Sequence, residues 1–175
     1  MLKRLFKPRP ALIAGRALYA LTVVQARSPD LYAELGVPDT VEGRFELYSL
    51  HVWLLLERLT GQGEQAAETS QALFDAYVSA LDHALRELGV GDLSVGKRMR
   101  KLGEAFFGRI RSYQEAMAAL PDTTLLQALL TRTVYAGVET SRASDLASYI
   151  VAQRLALAGR PVEQLYVGEV TWAAA

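Results

Sequence analysis

Between Phe45 and Leu56 the chain carries Phe45, Leu47, Tyr48, Leu50, Val52, Trp53, Leu54, Leu55 and Leu56 with few polar interruptions. Wound as a helix, this stretch is apolar on nearly every side. An amphipathic helix needs one covered face, but a helix apolar all round needs neighbours on all of them. The segment therefore belongs in the middle of a helical bundle, and the rest of the chain must supply the helices around it.

Periodicity supplies them. Apolar residues recur at steps of three and four along most of the chain, the helical signature. A first helix is expected from about Ala11 to Ala26. Ser28 and Pro29, an N-cap followed by proline in the first turn, open a short helix ending at Gly36. The turn Val37-Pro38-Asp39-Thr40 leads into the central helix, which runs to about Leu59 and is stopped by Gly61 and Gly63. The next helix, about Glu64 to Leu88, sets Leu73, Tyr77, Leu81, Leu85 and Leu88 on one side. After Gly89-Val90-Gly91-Asp92 a helix runs from Ser94 to about Leu120, ended by Pro121. Asp122 or Thr123 caps a helix through Leu125, Leu126, Leu129, Leu130 and Val134, and Gly137 breaks the pattern. Another helix covers about Ser141 to Ala158, and a helical turn follows near Val162 to Tyr166. Gly168 to Ala175 is expected to be extended and packed through Val170 and Trp172. Short links between helices favour a compact bundle. The expected fold is all-α: a single compact bundle of about seven helices, residues 11–175, behind a basic N-terminal arm, residues 1–10.

Composition narrows the function. The chain has no cysteine, which excludes disulfides, a thiolate nucleophile and a zinc–thiolate site. No apolar run is long enough to span a bilayer. Ala11 to Val24 is too short and contains Arg16, which also spoils it as a signal peptide. The Arg-rich, acid-poor start has the composition of a transit peptide, but Leu12, Leu18, Leu21 and Val24 form an ordinary core-facing stripe. Net charge is zero, so the chain as a whole does not present itself as a nucleic-acid binder, and no DNA partner is expected.

No catalytic, cofactor-binding or metal-binding residue stands out. His51 lies in the apolar central helix, where a buried, hydrogen-bonded imidazole is the ordinary outcome. His83, beside Asp82 and Arg86, reads as a surface residue. Neither has a partner at ligand spacing. Glu42 and Glu46, and Glu64 and Glu68, are four apart, but each pair lies in a first turn, where acids favour the helix dipole. The glycines of Gly89-Val90-Gly91-Asp92 belong to no phosphate-binding pattern, and there is no nucleophile elbow. No cofactor is expected, and no enzymatic activity.

The distinctive stretch is Leu93 to Tyr113. Val95, Met99, Leu102, Phe106, Ile110 and Tyr113 form one apolar face. Lys97, Arg98, Arg100, Lys101, Arg109 and Arg111 oppose a single acid, Glu104. Gly96, Gly103 and Gly108 sit inside the helix, where each costs about 1 kcal/mol against alanine. Glycine there would let a partner chain or a neighbouring aromatic come close. The expected partner-binding set is Lys97, Arg98, Arg100, Lys101, Phe107, Gly108, Arg109 and Arg111, with Phe106 ranked as core and Arg44 expected to pair within the fold. The bland alternative is a solvated polar face opposite a core stripe. The basic N-terminal arm could touch an anionic membrane surface.

The run from Gly89 to Leu102, continued by Glu104-Ala105-Phe106-Phe107-Gly108-Arg109 and Tyr113, resembles the ubiquinol–cytochrome c chaperone family. So do Tyr32 to Thr40, Gly43 to Leu47 and the Ala26 to Asp30 segment. The resemblance covers about Leu18 to Tyr166. One departure is Phe107, where the family's Phe-Tyr-Gly-Arg has tyrosine, which removes a hydroxyl. The resemblance implies a non-enzymatic assembly factor for respiratory complex III. Its mitochondrial members bind newly made cytochrome b near the ribosomal tunnel exit with a small partner protein. A bacterial member is expected here, cytoplasmic and peripheral at the inner face of the membrane. Its expected client is cytochrome b or another membrane protein, held in an apolar groove with a cationic rim. The ribosome and a small partner subunit are the further partners the resemblance suggests. Two other readings predict different features. An all-helical, membrane-proximal enzyme of lipid or isoprenoid metabolism needs an acidic metal motif, and none is present. An RNA- or ribosome-binding module predicts affinity falling steeply with salt, but aromatic platforms are not interleaved with the cations.

Overall fold

A computed structural model describes residues 10–138 and 142–173. Among them the chain forms eight helices: α1 (Pro10–Ala26), α2 (Pro29–Ala33), α3 (Val41–Leu59), α4 (Glu64–Glu87), α5 (Asp92–Ala118), α6 (Thr124–Thr133), α7 (Ala143–Ala158) and α8 (Glu163–Tyr166). These are the seven expected helices and the expected final turn, gathered into a compact all-α bundle. The basic arm lies outside the described residues except for Pro10, which begins α1. Ser141, the expected start of α7, also lies outside them.

The all-round apolar segment takes the central position that its pattern demands. In α3, Leu47 and the unbroken run Leu50 to Leu55 are buried, and α1, α4, α5 and α7 pack around it. Its start is set by Thr40, whose side-chain oxygen accepts a hydrogen bond from the Gly43 amide at 3.1 Å, satisfying one of the free amides of the first turn. Gly43 is required because a side chain there would strike the Pro38 carbonyl. At the core, Trp53 stacks on Tyr113 of α5 with ring centroids 4.6 Å apart.

Helices α1 and α4 touch backbone to backbone. A Cβ on Gly15 would lie 2.5 Å from main-chain atoms of Ala72 and Leu73, so only glycine permits this contact. His51 is fully buried as expected. Its Nδ1–H donates to the Leu47 carbonyl at 2.8 Å, and its Nε2 accepts from the Tyr149 hydroxyl at 2.7 Å. Tyr149 in turn accepts from the Gln25 amide, so the network ties α1, α3 and α7 together. Residues 169–173 cover it without forming a helix. There the Gln153 side chain exchanges two hydrogen bonds with the Ala173 backbone, and Trp172 sets its ring edge-on to His51.

Three local expectations change. Ser28 occupies the N-cap of α2, but its side chain makes no capping bond; Pro29 at the first helical position fixes the start of the helix through its restricted φ instead. Helix α5 starts at Asp92 rather than Ser94. Leu88, placed with the core stripe of α4, is 61% exposed, because α4 ends at Glu87 and the turn carries Leu88 past the packed surface.

Candidate functional site

Helix α5 buries Val95, Phe106 and Tyr113 of the expected apolar face, together with Ala116 and Met117, while Met99, Leu102 and Ile110 of that face are half-buried. The two phenylalanines separate as their positions require. Phe106 points inward and packs on Tyr77 and Phe74. Phe107, about 100° further round the helix, is 54% exposed and leans on Phe74 and Phe106, with centroids 5.8 and 5.9 Å away.

Beside Phe107 lies an open, mainly apolar groove of about 500 Å³. Its walls come from three places. Leu56 and Leu59 end α3, Ala67 and Phe74 belong to the first half of α4, and Phe106, Phe107 and Ile110 come from α5. Its mouth is formed by Gly61 and Gly63, both at positive φ. Sequence reasoning found only the α5 wall. Phe74 was its missed partner, and the available signal was a large aromatic one step off the α4 core stripe. The Leu56 and Leu59 contribution had no separate signal, because both also read as core.

The eight expected partner-binding residues do not form one face. Spacing divides them among three strips of α5. Arg100, Phe107 and Arg111 share a strip with Gly103, and of these Phe107 lines the groove. Lys97, Lys101 and Gly108 occupy the strip that faces away from it. Arg98 and Arg109 lie on the opposite flank. Lys97, Arg98, Arg100, Lys101 and Arg111 are exposed; among the described residues Arg100 is the one of these with a carboxylate within 4 Å, Glu104, at 3.9 Å with both side chains in water.

Arg109 corrects the expectation of a free cation. Its guanidinium donates two hydrogen bonds of 2.8 Å to the carboxylate of Glu46 on α3. The Glu46 side chain is 8% exposed and that of Arg109 25%. The carboxylate holds the Arg109 pKa above its ordinary value. Buried carboxylates need such a partner, so Arg109 locks α5 to the central helix. Glu46 had read as a first-turn acid; its burial makes it the anchor of this pair. Arg44 pairs within the fold, with Asp39, as expected.

The helix glycines also have a definite setting. A Cβ on Gly96, Gly103 or Gly108 would meet nothing within 4 Å. Among the described residues no neighbouring aromatic uses the space they leave. Among the described residues no cluster of His, Asp or Glu could hold a metal ion, and no helix is long and apolar enough to cross a membrane.

Fold and groove define an all-helical bundle with an open apolar surface site, bordered by a basic helix. The chain belongs to the ubiquinol–cytochrome C chaperone family, whose profile matches residues 33–172. It is similar to the Cbp3 homolog from Brucella abortus, whose crystal structure superimposes with a TM-score of 0.87 at 34% identity, over 99% of this chain and 97% of that one. It is also similar to ubiquinol–cytochrome c reductase complex assembly factor 1 from Xenopus laevis, 23% identical over 69% of this chain and 59% of the relative. The Mus musculus protein of that name is 26% identical over 91% of this chain and 55% of the relative. The chain thus spans a little over half the length of the curated relatives it matches.

Proposed function

We propose that this protein is an assembly chaperone for the ubiquinol–cytochrome c reductase complex. It performs no chemistry of its own and holds a membrane-protein client, cytochrome b, before the client joins the complex. It works on the cytoplasmic side of a bacterial inner membrane, at the membrane surface. Support comes from the family membership and from the names of the relatives.

The observation that carries the binding mode is the groove beside Phe107. A helix of the client lays its apolar face against Leu56, Phe74, Phe107 and Ile110, the helix-in-groove mode of recognition. Arg111, on the same strip as Phe107, meets polar or acidic groups at the end of that helix. Covering the exposed half of one phenylalanine contributes about 2 kcal/mol, enough for Phe107 to anchor the contact.

The test is capture of newly made cytochrome b by the tagged chain, comparing wild type with Phe107→Asp and Arg111→Glu. Phe107→Asp should lower capture at least tenfold while leaving the far-ultraviolet circular dichroism unchanged. Undiminished capture by the folded variant would dismiss the groove. Normal levels of the assembled complex in cells lacking the protein would dismiss the assembly role.

A further inference from the structure

The two halves of α5 have different surroundings. Phe106 and Arg109 tie its second half to the bundle. Its first half turns back from the end of α4, as a hairpin. The turn between them is closed by hydrogen bonds from the Gly89 amide to the Arg86 carbonyl and from the Val90 amide to the Leu85 carbonyl, with Gly89 at positive φ. This is an ordered helix stop. Arg86 bridges the two helices by pairing with both Asp82 and Asp92.

On this closed turn Leu93 is fully exposed and Leu88 nearly two-thirds so. Two leucines at the tip of an ordered hairpin have no packing role. Directly behind them come Lys97, Arg98, Arg100 and Lys101. With 1.5 Å of rise per residue, Lys97 stands about 6 Å and Lys101 about 12 Å along the axis from Leu93, whereas Arg111 is about 27 Å away. Near the tip Asp82 and Asp92 share the single cation Arg86, which leaves one negative charge; with Glu87, and with Glu104 beside Arg100, these acids are still outnumbered by the four cations Lys97, Arg98, Arg100 and Lys101.

We propose that the tip of the α4–α5 hairpin is a docking surface for an anionic lipid bilayer. Leu88 and Leu93 enter the boundary between headgroups and acyl chains, and Lys97, Arg98, Arg100 and Lys101 meet lipid phosphates. The order of groups along the hairpin carries this assignment. An apolar end with flexible cations one and two turns behind it matches the layering of a membrane surface. Single-stranded RNA would call for aromatic platforms among the cations, and the tip has none. The surface is separate from the client groove, since Leu88 lies about 21 Å along α4 from Phe74. Its failure would leave the groove standing.

The experiment is flotation of the full chain with vesicles of phosphatidylcholine containing about 30% phosphatidylglycerol, against vesicles of phosphatidylcholine alone. Each cation near an anionic leaflet strengthens partition about fivefold. The variant Lys97→Gln/Arg98→Gln/Arg100→Gln/Lys101→Gln should therefore bind at least ~100-fold more weakly. Leu88→Ser/Leu93→Ser should lose about tenfold or more. Because the chain has no cysteine, Leu93→Cys accepts a single environment-sensitive dye. That dye should shift to the blue on anionic vesicles. A dye on Leu155→Cys should not, since Leu155 lies beside the carboxyl end of α3, at the other end of α4 from the tip. Flotation that survives the four glutamines would assign binding elsewhere, including the N-terminal arm, and would overturn the proposal. So would a silent dye at position 93, or absence of flotation by wild type. Displacement of bound vesicles by single-stranded RNA at equal phosphate would reassign the cations to RNA.

Discussion

Replacing Arg109 with methionine keeps most of the aliphatic stem and removes the charge that faces Glu46. Opposite unit charges about 4 Å apart attract by about 4 kcal/mol at an effective dielectric constant near 20. Desolvating both groups offsets much of that, so the intact pair adds little net stability. The variant is a different matter. The Glu46 side chain is 8% exposed, and without its two 2.8 Å hydrogen bonds it becomes a buried charge lacking its Arg109 partner. Breaking buried pairs costs about 3–5 kcal/mol, and the partial exposure of Arg109 places this one near the low end, at about 3 kcal/mol. For a chain of this length that lowers the melting temperature by roughly 6–12 °C. Glu46→Gln should cost less, about 1–2 kcal/mol, because Arg109 can turn toward water. The double variant Glu46→Gln/Arg109→Met should fall within about 1 kcal/mol of wild type. Urea unfolding of the four proteins gives the coupling directly. Losses that simply add in the double variant, or a loss under about 1 kcal/mol for Arg109→Met, would show that the pair is not the lock described here. If Arg109→Met is stable but captures no client, Arg109 belongs to the binding surface after all.

Three further perturbations read other parts of the structure. His51 has its pKa pushed down from 6.5 to about 4, chiefly by burial. The unfolded state therefore takes up a proton that the folded state refuses, and stability falls as the pH drops from about 6.5 to about 4, by up to ~3 kcal/mol. Urea unfolding across that window measures the slope; a His51→Gln variant should flatten it, and an equal slope in that variant would remove His51 as the cause. Gly103→Ala and Gly108→Ala meet open space, so each should stabilise the fold by about 1 kcal/mol. If these glycines serve a partner's close approach, capture should weaken as stability rises; unchanged capture would leave them without that role. Gly15→Val drives a side chain into the α4 backbone and should cost about 2–3 kcal/mol; a thermal melt matching wild type would disprove the close α1–α4 contact.

Much of the architecture could be read before any coordinates, because helices announce themselves locally. The stripe Val95–Tyr113, the break at Gly61 and Gly63 and the all-round apolar segment 45–56 are each patterns within a few turns of chain. They reproduce α5, the end of α3 and the central place of α3 with boundary shifts of a residue or two. His51 was legible for the same reason, since an imidazole inside an apolar helix has few alternatives to a hydrogen-bonded burial. The site was only half legible. Phe107 could be singled out on α5, but a groove needs opposing walls. Phe74 lies more than thirty residues earlier in the chain and Leu56 about fifty, and no periodicity relates them to Phe107.

Charge shows the same division most sharply. Residue order dictates that Leu93 to Tyr113 carries six cations and one acid, and helical spacing dictates the strip on which each sits. Order does not say which cation is already satisfied. Arg98 and Arg109 share a strip of α5, yet Arg98 is exposed and Arg109 holds a carboxylate from α3. Tertiary packing made that choice, because the energy of an ion pair depends on distance and burial between distant segments. Periodicity along a single helix contains neither quantity.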